Sequence, residues 1–174
     1  MPSDQLTINL RSLFLILIGL VLAFILGVGI VSNNDPLWFL PIFDETPLRI
    51  IVYRNGCQVD LIEGAPGFAQ VTGAINGTVT HIEGFYTSYG LSDASLKHYR
   101  SGELAVEVLY PTPVTVHAPY RFGNPDSLFF GLSGSLGEDR TIFGGHNGQY
   151  WAGAMRLSSN DTLRKAAEAI PCAQ

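Results

Sequence analysis

The sequence predicts an α+β protein. It reads as a single N-terminal transmembrane helix followed by one extracytoplasmic domain, with a mainly antiparallel sheet and two to three helices. Three observations carry this reading. Residues 13–31, LFLILIGLVLAFILGVGIV, contain no charge and no hydrogen-bonding side chain. Two Asn-Gly pairs, Asn55-Gly56 and Asn147-Gly148, each sit between β-rich runs, where both residues tolerate the positive φ of a hairpin turn. Helix-period segments occur among these runs without regular βαβ alternation, which favours hairpin-linked strands over a parallel sheet.

The apolar run is taken first. At about 1.5 Å per helical residue it reaches roughly 28 Å, close to the hydrocarbon thickness of a bilayer. Backbone amides in lipid must pair within the segment, so the run must be helical. It exceeds the usual h-region of a signal peptide, and no A-x-A-like cleavage site follows, so an uncleaved anchor is expected. The chain then divides into a short cytoplasmic N-terminus (1–12), the transmembrane helix (13–31), an aromatic and Pro-rich juxtamembrane linker (32–47) and the domain (48–174). Arg11 and the amino group stand against Asp4 on one side of the span, while Asp35, Asp44 and Glu45 precede Arg49 on the other. The positive-inside rule therefore favours a cytoplasmic N-terminus and an external domain. Trp38 and Phe39 fall where amphipathic aromatics settle at the lipid–water boundary. Gly19, Ala23 and Gly27 share one helix face, a small-residue stripe at which a second helix can approach closely.

Within the domain, residues 48–53 and 57–62 form the first hairpin. Phe68, Val71, Ile75, Val79 and Ile82 follow the period of a helix with one buried face; a hairpin around Asn76-Gly77 is the rival reading of 68–82. Residues 83–91 read as an aromatic loop. Ser92-Asp93 caps a short helix ending at Gly102. Residues 103–110, ELAVEVLY, alternate as a half-buried strand, with Glu103 and Glu107 on its wet side. Residues 114–117 read as another strand, 127–134 as a central one, and 136–140 as a Gly-containing turn. The second hairpin joins 141–146 to 149–155. A last helix over 161–170 ends at Pro171. The expected order is β-β-α-α-β-β-β-β-β-α, with the helices on one face of the sheet.

Composition excludes some functions. Apolar residues make up 47% and charged residues 14% of the 174-residue chain, so it is no disordered tail. Beyond the anchor, nine basic residues face fourteen acidic ones, which argues against nucleic-acid binding by a basic surface.

No motif assigns chemistry. The four histidines never pair at i+3 or i+4, and His81-Ile82-Glu83 lacks the Pro-Cys-x-x-Cys companion of zinc deaminases. Neither G-x-S-x-G, S-x-x-K, H-E-x-x-H nor a phosphate loop is present. No catalytic, cofactor-binding or metal-binding residue is therefore assigned, and no cofactor is expected. Cys57 and Cys172 are either a disulfide closing a long loop or two separate thiols; spacing does not decide. Asn76 and Asn160 begin glycosylation sequons. Phe85, Tyr86 and Tyr89, with Tyr120, Arg121 and Phe122, combine residue types favoured at binding surfaces, with aromatics capping the core edge as the other reading.

The leading functional expectation is a non-enzymatic, membrane-anchored interaction or structural protein, such as an accessory subunit of a larger membrane complex. Its partners would be membrane lipid and another membrane protein or a second copy. An external small-ligand-binding domain, acting as sensor or carrier, is the alternative. An enzyme with an unrecognised site is the third.

Overall fold

The computed structural model describes residues 9–33 and 35–172. Most of the expected cytoplasmic segment, residues 1–8, lies outside the described residues, as do positions 34, 173 and 174.

Helix α1 (Leu10–Val28) starts at Asn9, whose side chain accepts the Arg11 amide at 3.2 Å. A π-helical turn, Gly29–Asn33, continues it. Leu10–Val31 is long and apolar enough to cross a membrane, and only 6% of its most apolar window is buried by the rest of the chain.

The domain is α+β, as the sequence predicts. Its sheet contains β1 (Arg49–Arg54), β2 (Cys57–Leu61), β3 (Ile82–Tyr86), β4 (Ala105–Leu109), β5 (Ser127–Gly131), β6 (Thr141–His146), β7 (Gln149–Tyr150) and β8 (Ala154–Leu157). All pairings are antiparallel, in the order β2-β1-β4-β5-β6-β8-β3, with β7 also paired to β6. The helices are α2 (Phe68–Val79), α3 (Asp93–Gly102), α4 (Gly134–Glu138) and α5 (Asp161–Glu168). Asn55 and Gly56 turn the first hairpin with φ of 49° and 80°, and Asn147 and Gly148 the second with 52° and 75°, the conformation Asn-Gly supplies at low cost.

Strand alternation gives the sheet two apolar faces. One carries Ile50, Val52, Val106, Val108, Leu128, Phe130 and Ile142, covered by Val71 and Ile75 of α2 and by Leu163 and Ala167 of α5. The other carries Ile51, Tyr53, Ala105, Phe129 and Phe143, covered by Leu96 and Tyr99 of α3 and Leu136 of α4.

This arrangement corrects several expectations. Among the described residues, four helices accompany the sheet rather than two or three, and they lie on both faces. β4 is consequently buried on both sides instead of half wet. Residues 68–79 are helix, which settles the rival readings of that stretch. The aromatic loop contains β3, because its residues complete the sheet edge against β8. Residues 136–140 do not form a simple turn, since α4 covers their first part. The strand expected over 149–155 is split into β7 and β8 by Trp151, Ala152 and Gly153. Residues 114–117 alternate as expected, with Val114 and Val116 buried, yet pair with no strand. They lie across the first face of the sheet, so packing alone produces the alternation. Their flanks, Pro113 and Pro119, lack the amide that a ladder requires.

Candidate functional site

The helix end and the domain meet at Asp35. Its amide donates to Gly29 O at 3.2 Å, so the chain folds back onto the last turn of the candidate span. A Cβ at Gly29 would lie 2.4 Å from Trp38 Cδ1 and 2.7 Å from Asp35 O, so only glycine allows this close return. The Asp35 carboxylate accepts the Leu37 amide at 2.8 Å through Oδ1 and His117 Nδ1 at 2.7 Å through Oδ2. Both groups are largely buried, with side-chain exposures of 10% and 17%. Farther along, Phe43 is buried edge-on to Tyr110, and Asn76 Nδ2 donates to Glu45 O at 3.1 Å. The segment after the apolar helix is therefore held to the domain at Asp35, Phe43 and Glu45.

Beside this joint lies an aromatic surface. Tyr120, Arg121 and Phe122 line a cleft of about 250 Å³ together with Asp35. Phe85 stacks on Tyr120 at 6.4 Å between ring centroids. Phe122 is buried edge-on to Trp151, at 6.3 Å. Gly153, with φ of 94°, allows Phe85 to approach where a Cβ would stand 2.7 Å from its ring. Of the six aromatic-surface residues read from the sequence, the fold thus brings together Phe85, Tyr120, Arg121 and Phe122. Tyr86 and Tyr89 stack on each other at 4.8 Å, but strand alternation sends Tyr86 to the opposite face from Phe85. There Tyr89 Oη donates to Asp139. Trp151 was missed by sequence reading, because its place beside Phe122 follows from the break between β7 and β8.

A second cluster sits under α3. Glu107 is 3% exposed. Its carboxylate accepts Tyr53 Oη at 2.8 Å, Tyr150 Oη at 2.7 Å and Arg100 Nη2 at 2.6 Å. Burial raises the Tyr53 and Tyr150 phenols far above the ordinary tyrosine range, and the charge of Glu107 and its hydrogen bonds add to this. For Arg100, burial opposes the charge, but its bonds and attraction to Glu107 prevail and raise its pKa. Every oxygen of Glu107 is engaged, so the cluster fastens α3 to the sheet and leaves the carboxylate no free lone pair facing solvent.

A polar cleft of about 550 Å³ opens between the first hairpin, α4 and α5, with Arg54, Arg164, Glu103, Glu138 and Glu168 among its lining. Ser133 Oγ donates to Glu103 and accepts the Leu104 amide at 2.8 Å. His98 Nε2 stands 3.7 Å from Glu103 Oε1. The imidazole thus faces the carboxylate and not the serine, so this is not the nucleophile–base–acid relay of hydrolases. Arg54 is committed elsewhere: Nη1 donates to Glu168 O at 2.5 Å and Nη2 to Ile170 O at 3.1 Å, capping α5.

Cys57 and Cys172 are joined by a disulfide in this structure. It ties the chain after α5 to β2 beside Arg54. Asn160 is 7% exposed and donates through Nδ2 to Gly137 O at 2.9 Å, which leaves no room for a glycan on the folded domain. Gly19 and Gly27 have open space where a Cβ would stand, so the Gly19, Ala23 and Gly27 face is uncovered. Among the described residues, no group of three or more His, Cys, Asp and Glu side chains is placed to hold a metal ion.

These features define a class: an α+β domain, antiparallel throughout, joined closely to one helix long and apolar enough to cross a membrane. No protein-family model, curated protein or solved structure matches the chain.

Proposed function

We propose that the chain is a non-enzymatic, single-pass membrane protein whose extracytoplasmic domain serves as an interaction or structural module, as an accessory subunit of a larger membrane complex does. One observation carries this reading. The helix is bare of intramolecular contacts while its end is locked to the domain through Gly29, Asp35 and His117. A purely tethering anchor would need no such joint. A helix that docks to another helix, and must present its domain at a defined height and angle, does. The small residues Gly19, Ala23 and Gly27 suit close approach of that second helix, whether from another membrane protein or a second copy.

Extraction of native membranes in mild detergent, with purification on a C-terminal tag, tests the reading. A stoichiometric membrane protein, or a second copy, recovered with the chain is the expected result. A monomer recovered alone would overturn it.

The polar cleft favours a second reading, a tethered ligand-binding domain. Its charged group of greatest interest is Glu103, held by Ser133 and His98, which also lines the neighbouring cleft. A small polar ligand whose binding is lost on Glu103→Gln would establish that reading. The aromatic surface read from the sequence, around Phe85 and Tyr120, lies elsewhere on the domain.

A further inference from the structure

We propose that the surface formed by Phe85, Tyr120, Arg121 and Trp151 rests on the bilayer into which the protein's own helix inserts, so that the domain lies down on the lipid interface instead of standing off it. The inference rests on the membrane reading of Leu10–Val31 and extends it to the domain.

Position supplies the first argument. The Asp35 amide bonds to Gly29 O, and Gly29 lies inside the candidate span. Asp35 is therefore level with the helix end, at the boundary where hydrocarbon gives way to headgroups. His117 is held 2.7 Å from Asp35, and Tyr120, Arg121 and Phe122 share a cleft with it. These residues have a lipid surface beside them whatever else they touch.

Chemistry supplies the second. Phe85, Tyr120 and Trp151 remain 38%, 40% and 37% exposed. Tyrosine and tryptophan are the side chains enriched where one end of a ring meets hydrocarbon and the other water. Arg121 is exposed and has no ion pair among the described residues. Asp35, the acid beside it, has both carboxylate oxygens engaged. An arginine so placed lays its aliphatic stem along apolar surface and offers its guanidinium to lipid phosphate. Leu37 and Phe39, just beyond the helix end, are exposed as well.

The chain has two tryptophans, which makes the test direct. Full-length protein carrying Trp38→Phe is reconstituted into phosphatidylcholine vesicles, with or without bromine on the acyl chains near the headgroup. Trp151 is then the sole indole, and its emission should fall by about half in the brominated vesicles, as expected for an interfacial ring. Adding Tyr120→Glu should abolish most of that loss. The companion Trp151→Phe protein reports on Trp38 at the helix end. Quenching of Trp38 with none of Trp151 overturns the proposal while leaving the anchor intact. If alkaline carbonate releases the protein and neither indole is quenched, the membrane reading fails and this proposal with it. Should Trp38→Phe not fold, a spin label on Tyr120→Cys replaces it. Greater accessibility to oxygen than to an aqueous nickel chelate supports the proposal, and the reverse overturns it.

Discussion

His117 donates from Nδ1 to Asp35 Oδ2 across 2.7 Å, joining a loop on the face of the sheet to the first residues beyond the apolar helix. The pair is largely buried, so losing one residue leaves the facing atom of the other, Asp35 Oδ2 or His117 Nδ1, without its partner. Asp35→Ala or His117→Ala should each cost about 1–3 kcal/mol locally. Hydrogen exchange should rise in residues 35–47 and stay unchanged in β4 and β5. Unaltered exchange in the juxtamembrane segment would show that the joint does not depend on this contact.

The Glu107 cluster makes a stability prediction. Arg100→Met removes the cation hydrogen-bonded to a buried carboxylate and should destabilise the domain by about 3 kcal/mol. Tyr53→Phe removes one of several donors and should cost about 1 kcal/mol. Denaturant unfolding in detergent, followed by circular dichroism, measures both. Equal and negligible effects would mean that the cluster does not hold α3 in place.

Alkaline pH should act through the same residues. Burial raises the Tyr53 and Tyr150 phenols, with Glu107 adding to both, and burial with the charge of Glu45 raises Tyr110. A folded-state pKa above the unfolded one means stability that is complete below the unfolded value, near pH 10, and is lost as pH climbs beyond it. Absorbance at the phenolate band should show these three of the seven tyrosines ionising only as the domain unfolds. Reversible titration of all seven near pH 10 with an unchanged fold would contradict this.

The disulfide closes a long loop, since Cys57 and Cys172 are 115 residues apart. Cys57→Ser or Cys172→Ser should lower stability by about 3–5 kcal/mol if loop entropy governs the effect. Comparing unfolding with and without reductant checks it: wild type should shift on reduction and the variants should not.

What the sequence makes legible is what local physics decides. Asn55-Gly56 and Asn147-Gly148 announce their hairpins because positive φ is a property of those residues themselves. Phe68, Val71, Ile75 and Val79 announce α2 because one helix face is buried against one partner. Glu107 was misplaced because its burial depends on α3 folding over a central strand, a long-range event absent from the pattern of ELAVEVLY. Its signal was a single charge amid apolar neighbours, with Arg100 seven residues before it. The segment 114–117 misled for a related reason: alternate burial records a flat apolar neighbour, whether or not a hydrogen-bonded strand lies alongside. The aromatic residues near Asp35 were named individually, but only the return of the chain onto Gly29 places them beside the helix end.

The most direct test of the account enlarges the bare face of the helix. Gly19, Ala23 and Gly27 are changed together to leucine, a substitution that keeps the helix apolar and should leave membrane insertion and the domain fold untouched. The account predicts that the variant stays in the membrane fraction after alkaline carbonate, yet emerges from mild detergent without the partner or second copy that accompanies wild type. A variant that keeps the same company as wild type would contradict it.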